Sequence, residues 1–118
     1  MQVKLRMFGS VVGLGLMLTA TAAPALTPAE EGRRVYLEQN CYGCHGGRGG
    51  GGMGPALRRE KPDLDDVSDA VRKGERRGMP AYPNLTALDI RNLTAYFRSL
   101  RTPSEPTFTH WWEPVPTR

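Results

Sequence analysis

The sequence predicts an all-α domain with three main helices, and three observations carry that reading. Three segments open on a capping side chain and continue with apolar residues at three- and four-residue spacing. Glycine- and proline-rich stretches separate them. No stretch alternates apolar and polar residues as a strand would.

The first helix opens at Thr27-Pro28-Ala29-Glu30. Thr27 caps it, Pro28 suits the first helical position, and Glu30 completes a capping box. It runs to about Gln39 and stops near Asn40. Gly32, Val35, Tyr36 and Gln39 share one face, and Gly32 lets a second helix approach closely. A helix glycine otherwise costs about 1 kcal/mol relative to alanine.

Cys41-Tyr42-Gly43-Cys44-His45 follows. Two cysteines two residues apart, with histidine directly after the second, read as a covalent c-type haem attachment site. Each thiol can add across one vinyl group of the haem edge, and the adjacent imidazole then reaches the iron from one face. These are the only two cysteines, so one haem is the maximum. Three other uses of the pair compete. A redox dithiol expects a thioredoxin-like βαβ context, and no strand-rich stretch precedes the motif. A structural zinc site needs four nitrogen or sulfur ligands, so His45 and His110 would have to complete it. An ordinary disulfide of an exported protein is the third.

Residues 46–55 read Gly-Gly-Arg-Gly-Gly-Gly-Gly-Met-Gly-Pro. A phosphate loop is excluded, because no Gly-Lys-Ser/Thr follows and no strand leads in. The stretch reads as a flexible loop passing close to a haem edge. Met53 within it is a rival iron ligand to Met79. The second helix starts at Asp63, with Asp65 and Asp66 in a first turn that favours negative charge. It continues through Val67, Ala70 and Val71 to Lys73, and Gly74 ends it. Arg72, Lys73, Arg76 and Arg77 cluster there, as dipole compensation or as a docking patch for an acidic partner.

Gly78-Met79-Pro80-Ala81-Tyr82-Pro83 is a rigid, non-helical stretch. Its prolines hold the backbone around one methionine, whose thioether is a soft ligand for haem iron. A His/Met pair raises the reduction potential and leaves no open iron position for substrate. The third helix is capped by Thr86 and runs to about Leu100 or Arg101. Leu85, Leu88, Ile90, Leu93, Tyr96, Phe97 and Leu100 form its apolar stripe. Residues 102–118 form a Pro/aromatic extension, since Pro103, Pro106, Pro114 and Pro116 exclude regular helix. Phe108, His110, Trp111 and Trp112 either pack back on the domain as an extended arm or dock a redox partner. His110 is a remote alternative iron ligand.

Residues 1–25 have the pattern of a secretory signal peptide. Lys4 and Arg6 precede an uncharged apolar run from Phe8 to Ala20, and small residues follow, with cleavage expected after Ala22 or Ala25. An uncleaved membrane anchor is the alternative. Either way the folded part lies outside the cytoplasm, in the periplasm. The whole chain carries 16 basic and 12 acidic residues, a net of +4. Removing Lys4 and Arg6 leaves 14 basic residues, a net of +2. No Lys/Arg-rich run of the kind that binds nucleic acid is present. A mature domain of about 95 residues is small for a self-sufficient core, and a buried macrocycle would supply much of the missing apolar interior.

Together these residues resemble the class I cytochromes c over roughly residues 28–101. Cys41-Tyr42-Gly43-Cys44-His45 matches the haem motif, Gly54-Pro55 with Leu57 the Gly-Pro-x-Leu segment, and Gly78-Met79-Pro80-Ala81-Tyr82 the methionine loop. Gly32-x-x-x-Tyr36 and Leu93-x-x-Tyr96 look like the family's crossing first and last helices. The resemblance implies a cytochrome c fold, residues 26–101, wrapped around one covalent haem c. Cys41 and Cys44 would carry the thioethers, and His45 and Met79 would be the axial ligands. The Pro55 carbonyl would accept from the other ring nitrogen of His45, and Arg58 or Arg59 would pair with a propionate. The glycine-rich loop and the tail depart from the family's pattern.

The expected function is electron transfer by a monomeric carrier, not an enzyme. It would accept electrons from a periplasmic dehydrogenase, with a quinoprotein suggested by loose resemblance, and pass them to a terminal oxidase or another cytochrome. The rival is a ligand-binding or peroxidatic haem protein, which requires Met79 to be off the iron.

Overall fold

The computed structural model describes Gly9 and residues 13–115 of the 118. Lys4, Arg6, Phe8 and Pro116, used in the sequence reading, lie outside the described residues. Five helices appear among the described residues: α1 Pro28–Glu38, α2 Tyr42–His45, α3 Leu57–Glu60, α4 Leu64–Lys73 and α5 Ala87–Ser99. They contain no strand, only an isolated bridge between Glu75 and Met79. The fold is the all-α cytochrome c fold expected. The three long helices stand where the caps put them. Thr27 and Thr86 each close a capping box, and the Asp63 side chain accepts from the Asp66 N–H. The sequence reading assigns no helix to the single turns α2 and α3, because four residues are too few to show periodicity.

The core is one cluster of Val35 and Tyr36 from α1, Leu57, Val67 and Val71, then Leu85, Ile90, Leu93, Tyr96, Phe97 and Leu100. It centres on the packing of α1 against α5. Gly32 makes that contact possible. A Cβ there would stand 1.9 Å from the Asn92 carbonyl oxygen and 2.8 Å from the Tyr96 Cβ. With the backbones this close, the Tyr36 ring meets Tyr96 at 5.5 Å and Phe97 edge-on at 6.0 Å. Leu88 departs from the expected stripe. It is the second residue of α5 and is 57% exposed. Leu14, Leu16, Met17 and Leu18 are all exposed.

Candidate haem-binding site

After α1 the chain reverses at Asn40, whose φ is 57°, and enters the motif. The Cys41 N–H donates to the Tyr36 carbonyl at 3.1 Å, and the His45 N–H donates to the Cys41 carbonyl at 2.9 Å. One helical turn therefore carries the motif. Residues at i, i+3 and i+4 share a helix face, so Cys41, Cys44 and His45 lie on one side of it. Both cysteines are free thiols, not a disulfide. Burial pushes the Cys41 thiol up to about 11, the opposite of the lowered value that marks a reactive dithiol.

His45 is 9% exposed. Its Nδ1 lies 2.9 Å from the Pro55 carbonyl oxygen. A carbonyl only accepts, so Nδ1 carries the proton and Nε2 keeps its lone pair. The loop that brings Pro55 there wraps the imidazole closely. The Gly54 N–H donates to the Cys44 carbonyl at 2.9 Å and the Gly51 N–H to the His45 carbonyl at 2.8 Å. A Cβ at Gly54 would stand 2.7 Å from His45 Cε1, so only glycine fits beside the ring. Met53, by contrast, is 90% exposed.

The methionine loop is pinned to the end of α4. Gly74 takes φ 69°, and a Cβ on it would meet the Met79 carbonyl oxygen at 2.7 Å. The Glu75 N–H donates to that same carbonyl at 2.9 Å, and the Tyr82 N–H donates to Val71 at 2.5 Å. Met79 and Tyr82 are partly buried and packed on the core cluster, as are Cys41 and Tyr42. Burial, then the neighbouring Cys41 and Cys44, raise the Tyr82 hydroxyl above its ordinary value.

This donor set fits a c-type haem. Two thiols and one imidazole share a helix face, the imidazole tautomer leaves Nε2 to bind, and Met79 and Cys41 both pack against the same core cluster. It does not fit bare zinc, because among the described residues no three His, Cys, Asp or Glu side chains converge to hold a metal ion. His110 sits instead on the tail, with its Nδ1 2.8 Å from Glu113 Oε1 and its ring stacked on Trp112.

The candidate propionate partners diverge. Arg59 is exposed. Arg58 is committed to the tail, where its fork binds both Glu105 carboxylate oxygens, one through Nη2 at 3.0 Å. Arg48 adds a longer contact to Glu105 at 3.6 Å, and the Arg101 N–H donates at 2.8 Å. Burial opposes ionisation of Glu105, but the Arg58 and Arg101 hydrogen bonds outweigh it and hold the carboxyl below its ordinary value of 4.5. A depressed folded pKa gives stability that is complete above the unfolded value and is lost as pH falls through the folded one. The melting temperature of the wild type should therefore drop more steeply than that of Glu105→Gln on acidification below pH about 4.5. Parallel thermal melts check this, and parallel curves would contradict it.

Arg33 is a buried residue beside the site that the sequence reading missed. It is 0% exposed. It donates to the carbonyls of Glu113 and Trp111, the latter at 2.7 Å, and its guanidinium lies 3.8 Å from the centroid of the Phe108 ring. Burial pushes its pKa down, while nearby Tyr96 and Glu113 push it up. The available signal was its place three residues before Tyr36, on the buried side of α1. Through Arg33 the tail packs back on the domain.

Against this geometry, the family model described as cytochrome C oxidase, cbb3-type, subunit III matches residues 27–97, which take in the motif and the methionine loop. The chain is also 33% identical over 93 residues to cytochrome c oxidase subunit 2 of Alkalihalophilus pseudofirmus, a match covering 66% of this chain and 27% of that protein. The chain thus spans about a quarter of that relative's length. No solved structure matches it. No helix among the described residues is long and apolar enough to cross a membrane. Fold, motif and family agree: the chain belongs to the cbb3-type subunit III family of c-type cytochromes.

Proposed function

We propose that the protein is a single-haem electron carrier whose haem c is bound through Cys41 and Cys44 and held between His45 and Met79. The supporting observation is the His45 imidazole, fixed by Pro55 with Nε2 left to bind, on the same helical turn as both thiols. The haem supplies one-electron chemistry at its iron. The chain's part is to attach the group, hold the imidazole in one tautomer, fill the sixth position from the 78–83 loop and keep water out. With both axial positions filled by protein, the carrier would not act as an enzyme.

Residues 1–25 would serve as an export leader, cleaved near Ala22 or Ala25, and residues 26–101 as the haem domain. The carrier would then work in the periplasm as a monomer. Electrons would arrive from a periplasmic dehydrogenase. The oxidase names of the family and of the subunit 2 relative favour a terminal oxidase as acceptor. With Arg58 held by Glu105, Arg59 is the freer of the two proposed propionate partners.

Intact mass of the exported protein tests the attachment. One haem added through two thioethers is expected, and Cys44→Ser should leave a single thioether. A mass with no haem, or with only a disulfide, would overturn the reading. Met79→Ala should keep the covalent haem, lose the long-wavelength charge-transfer band of methionine-ligated ferric haem, and bind CO rapidly when reduced. Absorption spectra of the two proteins check this. An unchanged band would remove Met79 from the iron.

A further inference from the structure

We propose that the segment from Glu105 to Glu113 is a strap that positions the haem-attachment turn, with Arg33 as its anchor and Trp111 as the wall it presents. The inference rests on the haem reading above. Its starting point is a deficit in the glycine-rich loop. Seven of the nine residues 46–54 are glycine, and the side chains of the other two, Arg48 and Met53, are 61% and 90% exposed. The loop therefore has no side chain with which to cover the turn it surrounds.

Trp111 supplies that cover. Its ring lies 5.0 Å from the ring of Tyr42, the residue directly after Cys41. A Cβ on Gly47 would stand 2.7 Å from Trp111 Cδ2, and the three nearest atoms to it all belong to that indole. Gly47 does not take a left-handed φ. What requires glycine there is the close approach of the indole to the backbone. The two departures from the family's pattern, loop and tail, thus account for each other.

The strap is fastened at both ends. The Arg33 fork takes the carbonyls of Trp111 and Glu113, on either side of Trp112. Glu105 ties the near end to Arg58 and to the Arg101 N–H. Tyr36 adds a hydrogen bond at 2.5 Å to the Gly46 carbonyl, where α2 ends. Arg33 and Tyr36 are three apart on α1, so one helix face holds both the strap and the turn beneath it.

The consequence concerns the reduction potential. Covering the attachment turn keeps water from the site, and hydration favours the more highly charged ferric state. Opening the wall should lower the potential without detaching the haem. Trp111 and Gly47 are positioning residues and make no bond to the iron.

The test uses the purified holoprotein as wild type, Trp111→Ala, Trp111→Phe, Gly47→Ala and the Gly47→Ala/Trp111→Ala double variant. Covalent haem is measured first by intact mass, then the potential by spectroelectrochemical titration, then the melting temperature. Trp111→Ala and Gly47→Ala should each lower the Fe(II)/Fe(III) ratio at fixed poise by about three- to tenfold, tenfold being 59 mV for one electron. Trp111→Phe should stay near the wild type. The double variant should be no worse than Trp111→Ala, because the added methyl has lost what it struck. A lowered melting temperature with an unmoved potential would reduce the strap to a structural brace and overturn the proposal. Additive effects in the double variant would also overturn it. Wild-type protein without covalent haem would instead overturn the underlying reading, and the mass measurement separates that case from the others.

Discussion

Gly32→Ala is expected to destabilise the protein by about 3 kcal/mol or more, the upper end for an overpacked core. The new Cβ would fall 1.9 Å from a backbone oxygen, that of Asn92. A flexible side chain cannot swing aside to relieve that contact. One of the two helices must move, and with it the Tyr36, Tyr96 and Phe97 ring cluster. The His45 turn follows directly on α1, so the displacement should also reduce the yield of covalent haem. Chemical denaturation with a haem-to-protein absorbance ratio checks both effects. Wild-type stability in the variant would mean that the close α1–α5 contact does not govern the fold.

Arg33→Met is expected to cost about 2–4 kcal/mol and to free the tail. Methionine replaces much of the apolar volume but donates nothing. The carbonyls of Trp111 and Glu113 lose charge-assisted hydrogen bonds, which are about twice as strong as neutral ones. Phe108 loses the cation over its face. Part of the loss is offset, because the buried Nε–H of Arg33 has no partner and leaves with the guanidinium. Limited proteolysis should then cut within residues 104–113 of the variant, where the wild type resists. Equal resistance in the two proteins would show that Arg33 does not hold the tail.

These two residues mark where the sequence was legible. Gly32 was, since a glycine inside a capped amphipathic helix, on the face shared by Val35 and Tyr36, has a close helix approach as its physical meaning. Capping boxes placed the long helices for a related reason, because cap and turn are local and chemically specific. Arg33 was legible only in its place on the buried side of α1, and its partners were not. A basic residue in an α1 that carries four other charged residues reads as solvated, and its partners are backbone carbonyls about eighty positions away. Carbonyls leave no residue-type signal. Arg58 shows the same limit, since nothing local announces its pairing with Glu105 across the fold.

The site divides in the same way. Cys41, Cys44 and His45 are neighbours in sequence, so their spacing fixes their geometry once one helical turn forms. Met79 is far from them in sequence, and its loop is placed by Gly74 and the backbone bonds that fold residues 75–82 onto α4. Trp111 reaches it from the far end of the chain. The tail's composition announced that it packs on something, and its contact with Tyr42 and Gly47 came only with the three-dimensional fold.

The central claim is that one haem is held from both sides by His45 and Met79. The most direct measurement is the absorption spectrum of the ferric wild-type holoprotein, followed by exposure of the reduced protein to CO. A long-wavelength charge-transfer band together with slow or absent CO binding is the predicted result. A ferric spectrum without that band, with rapid CO binding on reduction, would contradict the account and leave a ligand-binding or peroxidatic haem protein in its place.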